Sequence, residues 1–206
     1  MMGYHRPVLL HESVEGLNIR PDGIYVDLTF GGGGHSREVL NKLGRKGRLI
    51  AFDQDRDAGA NVPADKRISF VRANFRYLRN FLRYHKVDSV DGILADLGIS
   101  SHQIDRPERG FSFRADAALD MRMDQESGRT AADILNGAEH DELAGIFRLY
   151  GELKNAGAIA GRIVQARTEA PIRTTGDLEA ALGKLVPARQ AQKFLAKLYQ
   201  ALRIQV

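Results

Sequence analysis

The sequence predicts an α/β protein: a parallel sheet with helices on both faces, followed by a helical subdomain. Three observations carry that expectation. Four short apolar, β-branched runs recur with room for a helix or turn between each pair, four glycines follow the first run, and beyond Gly98 the apolar residues fall at helical spacing only.

Ile24-Tyr25-Val26-Asp27-Leu28-Thr29 is bounded by Pro21-Asp22-Gly23 before it and the glycines after it, as a buried strand is. Ser36 opens a segment in which Val39, Leu40 and Leu43 share one helical face, and Gly44 stands where a left-handed stop is expected. Arg48-Leu49-Ile50-Ala51-Phe52-Asp53 reads as a second buried strand. The polar stretch after it has room for only a short helix, because Gly59 and Pro63 interrupt it. Ile68-Ser69-Phe70-Val71 is the third strand. Asn74 is placed to cap a helix whose apolar stripe is Phe75, Leu78, Phe81 and Leu82, with Arg76, Arg79 and Arg83 outside it. Gly92-Ile93-Leu94-Ala95-Asp96 is the fourth strand. Strands separated in this way pair in parallel through right-handed crossovers.

From Asp105 to about Thr130 the chain is polar and Arg-rich, and one-sided helices follow over 140–150, 155–167 and 177–186. In the last stretch, Phe194, Leu195, Leu198 and Leu202 lie on one face. The expected division is a sheet domain over 1–104, a helical subdomain over 105–187, and a last helix over 188–206. There is no internal repeat and no low-complexity linker.

Composition limits the function classes. The 206 residues are 43% hydrophobic and 27% charged, as in an ordinary globular protein, and no apolar run is long enough to span a bilayer. The start, Met1-Met2-Gly3-Tyr4-His5-Arg6, leads into no signal-peptide segment, so a cytoplasmic protein without a membrane partner is expected. The absence of cysteine excludes disulfides and thiolate zinc sites, and six histidines without ligand spacing argue against any metal site. Thirty Lys and Arg against 26 Asp and Glu give a net charge of +4, a mild bias toward polyanions that does not by itself establish RNA binding.

The segment Asp27-Leu28-Thr29-Phe30-Gly31-Gly32-Gly33-Gly34-His35 is the most informative. Glycines between a buried strand and a helix let a ligand approach the backbone where Cβ atoms would block it, and a helix amino terminus favours an electron-rich group. A tight turn without ligand is the plain alternative. Asp53, about 20 residues further on at the end of the second strand, can accept both hydroxyls of a ribose, which points to an adenosine-containing cofactor. No lysine precedes His35 and Ser36, so this is not a P-loop. Ser36 occupies the position where a dinucleotide fold wants its third glycine, which weakens a nicotinamide cofactor without excluding it. S-adenosyl-L-methionine requires only room beside the loop for its amino-acid tail.

Six stretches together carry a resemblance: His5 to Glu12 (HRPVLLHE), Tyr25 to Ser36 (YVDLTFGGGGHS), Asp91 to Gln103 (DGILADLGISSHQ), Arg109 to Arg114 (RGFSFR), Leu119 to Asp124 (LDMRMD) and Tyr199 to Val206 (YQALRIQV). In these the chain resembles the RsmH (MraW) family of methyltransferases acting on N4 of a cytosine in small-subunit (16S) ribosomal RNA. The resemblance implies a Rossmann-like class I methyltransferase sheet, S-adenosyl-L-methionine as cofactor, and small-subunit ribosomal RNA or the assembled subunit as partner. It places cofactor contacts on Gly33, Gly34, His35, Asp53, Phe75, Asp96 and Gln103. Read from the residues alone, Phe75 serves equally as an adenine platform or a core residue, and His35 as a ligand or a helix cap.

The resemblance also makes Asp96 the expected catalytic residue. A conjugated exocyclic amine is a weak nucleophile, and a carboxylate accepting an N4 hydrogen would align it with the methyl group and stabilise the charge developing on nitrogen. The segment Asp96-Leu97-Gly98-Ile99-Ser100-Ser101 lacks the prolines and aromatic residue of the Asp-Pro-Pro-Tyr motif common to amino methyltransferases, so a helix cap or a cofactor ligand stays open for Asp96. Arg106, Arg109, Arg114, Arg122 and Arg129, with Phe111 and Phe113 between, read either as a solvated loop with two core phenylalanines or as phosphate contacts and stacking surfaces. The resemblance favours RNA contacts at Arg109, Arg114 and Arg122. Other readings are a nicotinamide-dependent oxidoreductase and a noncatalytic RNA-binding module. The family's chains continue past YQALRI and complete the sheet with further strands, so the resemblance implies a truncated sheet, with the all-helical subdomain over 105–187 inserted in it and the 188–206 helix returning to the sheet domain. Its fourth strand would then be open to homodimer pairing, and activity would be reduced or absent.

Overall fold

The computed structural model describes residues 7–206, in which two compact units divide after Ser100. His5 and Arg6 of the first matching stretch lie outside the described residues. In the first unit α1 spans Leu10–Gly16, β1 Ile24–Asp27, α2 Gly34–Lys42, β2 Arg48–Asp53, β3 Ile68–Arg72, α3 Leu78–Tyr84 and β4 Gly92–Leu94. The strands form one parallel sheet in the order β3-β2-β1-β4, with Val26 opposite Ile50 on one side and Ile93 on the other. The Rossmann-like expectation holds.

Alternation along the strands sorts the side chains to the two faces. Tyr25 and Leu49 join Val14, Val39, Leu40 and Leu43 from α1 and α2. Val26, Ile50 and Phe52 face the other way and pack with Val71, Val87 and the α3 residues Leu78, Phe81 and Leu82. The Phe52 and Phe81 rings meet edge to face, with centroids 5.7 Å apart. A parallel sheet needs cover on both faces, and the near-continuous apolar strands supply the surfaces for it.

Two local expectations change. Helix α2 starts at Gly34 and ends with an extended Leu43, and Gly44 does not adopt a left-handed conformation. A Cβ on Gly44 would lie 3.2 Å from both the Pro21 Cβ and the Pro21 carbonyl oxygen, so close approach accounts for this glycine. Asn74 does cap, accepting from the Arg76 N–H, but the turn it starts is a 3₁₀ turn over Phe75–Tyr77 that leads into α3.

The second unit holds α4 (Ser101–Ile104), α5 (Ala131–Gly137), α6 (His140–Leu149), α7 (Ala156–Glu169), α8 (Thr175–Leu182) and α9 (Ala191–Gln205). Helices α5 and α8 each begin with a capping box, Thr130 with Asp133 and Thr174 with Asp177. The 188–206 helix falls within this compact unit. The stripe Phe194, Leu195, Leu198 and Leu202 is buried, and α9 packs on α5 and α6. Gly151 permits the approach, since a Cβ there would come within 3.0 Å of the Lys197 carbonyl oxygen. Among the described residues no helix is long and apolar enough to cross a membrane.

Candidate functional site

The strand order reverses beside β1: the chain moves outward through β2 and β3, then returns through α3 to place β4 on the other side. In open α/β sheets the crevice outside the carboxyl ends of the strands at such a switch point is where ligands bind. The glycine loop leaves β1 at this point and Asp96 follows β4. The backbone N–H of Asp96 donates to Thr29 Oγ1 at 2.8 Å, joining the two segments. The Asp96 side chain is exposed.

The loop is held at almost every residue. Gly31 and Gly33 have φ of 51° and 73°, and a Cβ on Gly33 would lie 2.7 Å from the Phe30 ring, so only glycine fits there without strain. Asp53 Oδ2 accepts from the Gly31 N–H at 2.7 Å, and its Oδ1 accepts from the Asp55 N–H at 2.8 Å. Asn61 donates to the Gly31 carbonyl at 3.1 Å, while Arg37 donates to the Gly32 carbonyl at 2.6 Å and the Asn61 carbonyl at 2.8 Å. Asp27, 1% exposed at the end of β1, accepts from Ser36 Oγ at 2.7 Å and from the Thr29 N–H at 3.0 Å.

Burial is the dominant influence on both loop carboxylates. It pushes Asp27 above the ordinary value of 3.8 against the hydrogen bonds from Ser36 and Thr29. It raises Asp53 against the N–H donors of Asp55 and Gly31. Backbone N–H groups of Asp55, Gly31 and Gln54 act on Asp53, and a carboxylate offers about four lone-pair sites, so it can brace the loop and still accept a hydroxyl.

His35 tests whether the loop suits a bound molecule. It is 5% exposed in the first turn of α2, and its Nε2 has no hydrogen-bond partner among the described residues. A buried ring nitrogen without a partner is costly and fits a site completed by a polar ligand group. Ser36 stands where a dinucleotide fold wants glycine, fully buried with its hydroxyl engaged by Asp27.

The first unit thus gathers Gly33, Gly34, His35, Asp53, Phe75 and Asp96 at the carboxyl ends of its strands. Phe75 follows β3 and is 40% exposed, so it is available as a platform and is not a core residue. Asn74 before it donates to Gln54, the residue after Asp53, at 3.0 Å. Gln103 stands in the second unit on α4, 6% exposed.

The arginine loop departs from the phosphate-contact expectation. Arg109 is 3% exposed; its Nη2 donates to the carbonyls of Arg122 at 3.0 Å and Met123 at 3.3 Å, and its guanidinium lies over Phe111 at 5.6 Å. It holds the loop from inside and offers a phosphate no open face. Arg122 is paired bidentately with Asp120 at 2.9 and 2.8 Å. Arg114 is exposed and has no carboxylate partner among the described residues. Phe111 is buried, and Phe113 packs edge-on to Tyr199 at 5.2 Å.

The sequence assigns no individual role to Asp27 or Thr29 within the loop segment, and none at all to Arg37 and Asn61. An acid closing a buried strand, with a serine nine residues later, was a usable signal for Asp27. Arg37 and Asn61 look like any polar surface residues until the fold brings them to the loop.

The sequence matches the MraW methylase family over residues 2–206. Among similar proteins, the ribosomal RNA small subunit methyltransferase H of Bacteroides thetaiotaomicron is 59% identical over 203 residues, covering 98% of this chain and 67% of its own. Its namesake in Flavobacterium johnsoniae is 56% identical over 205 residues, covering 100% of this chain and 68% of its own. That of Azobacteroides pseudotrichonymphae is 54% identical over 203 residues, covering 98% and 67%. The chain therefore spans about two thirds of the length of these relatives. A match from residue 2 to residue 206, at more than half identity to proteins of one name, agrees with a glycine loop and two carboxylates gathered at a sheet switch point: the chain belongs to the MraW methylase family.

Proposed function

We propose that the protein transfers a methyl group from S-adenosyl-L-methionine to N4 of a cytosine in small-subunit ribosomal RNA. The observation that carries this reading is the braced glycine loop, with Asp53 bonded to Gly31, the Asp96 backbone bonded to Thr29, and a buried His35 Nε2 that has no hydrogen-bond partner among the described residues. The names of the relatives supply the RNA.

When bound, the cofactor supplies an electrophilic methyl group. Gly33, Gly34 and His35 would receive its amino-acid end, Asp53 its ribose hydroxyls and Phe75 its adenine. The family resemblance adds Gln103 to this set. Asp96 would accept a hydrogen of the cytosine amine, fix the direction of the nitrogen lone pair and take up the proton lost as the new N–C bond forms. Its backbone bond to Thr29 keeps that carboxylate in register with the loop. Of the arginine loop, Arg114 is the residue proposed to meet phosphate, with Arg122 in support through its pair with Asp120.

The test is incubation with methyl-labelled cofactor and either naked small-subunit RNA or assembled subunits, followed by nucleoside analysis. The expected product is N4-methylcytidine. Label on another base, or on no RNA while S-adenosylhomocysteine still binds, would overturn the assignment.

A further inference from the structure

The stretch from Lys66 to Val87 carries seven Lys and Arg residues and no Asp or Glu, a local excess larger than the +4 of the whole chain. A helix that is merely solvated interleaves both signs, which adds pairs at i and i+4. Here Arg79 and Arg83 are four apart on α3 and repel one another. Arg76, Arg79, Arg83 and Lys86 are exposed, and none has a carboxylate partner among the described residues. Leu78, Phe81 and Leu82 occupy the core side of the helix, so the charges cover its outer side.

Two aromatic residues are interleaved with these charges. Tyr77 is 48% exposed and Tyr84 80%, and the Arg76 guanidinium lies 5.4 Å from the Tyr77 ring centre. Tyr84 shares its helix face with Asn80, beside the Arg79 and Arg83 face. Cations that follow a phosphate backbone, with rings on which bases stack, are the elements of a single-stranded nucleic-acid surface. The Phe75–Tyr77 turn joins this surface to the candidate cofactor site, because Phe75 opens it and Arg76 and Tyr77 continue it.

We infer that the outer face of α3, formed by Arg76, Tyr77, Arg79, Arg83, Tyr84 and Lys86, is a binding surface for single-stranded RNA that holds the substrate strand next to the methyl-transfer site. This deepens the proposed function and rests on it. RNA is favoured over an anionic membrane because the exposed aromatics alternate with the cations instead of forming an apolar face.

The experiment measures affinity for a short single-stranded RNA across a salt series, alongside methyl transfer to small-subunit RNA. Each phosphate contact contributes about 0.7 to the slope of log affinity against log salt on a single strand. Arg79→Ala with Arg83→Ala is expected to reduce that slope by about 1.4. It should also raise the KM for RNA about tenfold or more with kcat at saturation and S-adenosylhomocysteine affinity kept. Tyr84→Ala should weaken binding without changing the slope, and Tyr84→Phe should restore it. Arg45→Ala with Lys46→Ala, in the turn between α2 and β2, removes the same charge and should leave the slope unchanged.

Unaltered RNA affinity and slope in folded α3 variants, in a protein whose wild type methylates the RNA, would overturn the surface and leave the methylation reading standing. Preference of the wild type for anionic phospholipid vesicles over RNA would also overturn it. A wild type that neither binds nor methylates RNA would overturn both. Tyr84→Ala and Tyr84→Phe keep the test decisive if the double arginine variant does not fold.

Discussion

Asp96 and Thr29 are tied by a backbone N–H to Oγ1 bond of 2.8 Å across the point where the strand order reverses. The bond couples the carboxylate proposed for catalysis to the loop proposed for the cofactor. Replacing Thr29 by Val removes the acceptor while keeping the shape. The expected loss is about 0.5 to 1.5 kcal/mol, the net worth of one such bond, read as a fall in kcat/KM with cofactor affinity little changed. Thr29→Ser should recover most of it. Equal activity in the Val and Ser variants would remove the bond from the mechanism.

Asp53→Ala should weaken S-adenosylhomocysteine binding by about 1 to 3 kcal/mol through lost charge-assisted hydrogen bonds to the ribose. It also releases the Gly31 N–H, so protease sensitivity of the 31–34 loop should rise in the same variant. Calorimetric titration gives the affinity. An unchanged dissociation constant in a folded protein would exclude Asp53 from the site.

Asp96→Asn should lower methyl transfer by two or more orders of magnitude, on the scale of lost transition-state electrostatics. Turnover and cofactor occupancy are measured together. A fall in turnover no larger than the fall in occupancy would make Asp96 a binding residue only.

Arg109→Ala is expected to cost about 2 to 3 kcal/mol of stability, because charge-assisted bonds to the carbonyls of Arg122 and Met123 and the contact with Phe111 are lost together. Denaturant unfolding measures this. Arg114→Ala should leave stability unchanged and weaken RNA binding. The reverse pattern would return Arg109 to the RNA contacts.

The helix caps predict a pH dependence. Hydrogen bonds from Thr130 hold Asp133 below the usual 3.8, and N–H donors of Arg173 and Thr174 do the same for Asp177. A depressed folded value means the stabilisation is complete above 3.8 and is lost as pH falls through the lower value. Thermal melts followed by circular dichroism should therefore show the second unit weakening below about pH 4. Asp133→Asn and Asp177→Asn should flatten that slope, and a slope unchanged in both variants would exclude the caps as its source.

What the sequence made legible follows from how local the cause is. The four strands, the Asn74 cap and the glycine loop were readable because alternation, capping chemistry and left-handed backbone act within a few residues. The Arg37 and Asn61 brace joins residues 24 apart and depends on where the fold sets the turn after β2. Arg109 departs from the expected surface position because a charged residue in a polar loop is normally outside, and only tertiary packing reveals one bonded to carbonyls inside. Gly44 served close approach to Pro21 instead of a left-handed turn, a distinction visible only once Pro21 is placed.

The strand order also sets a sequence of assembly. β1, β2 and β3 are successive neighbours, so a nascent chain can pair them and set the glycine loop before residue 92 exists. β4 is only three residues long and pairs with β1 alone among the described strands, with Ile93 46% exposed. Among the described strands it is expected to fray first, since local opening follows the thinnest set of buried contacts. The carboxylate proposed for catalysis therefore follows the shortest of the described strands, and amide exchange should be fastest over 92–96 and slow there once a ligand spans the crevice.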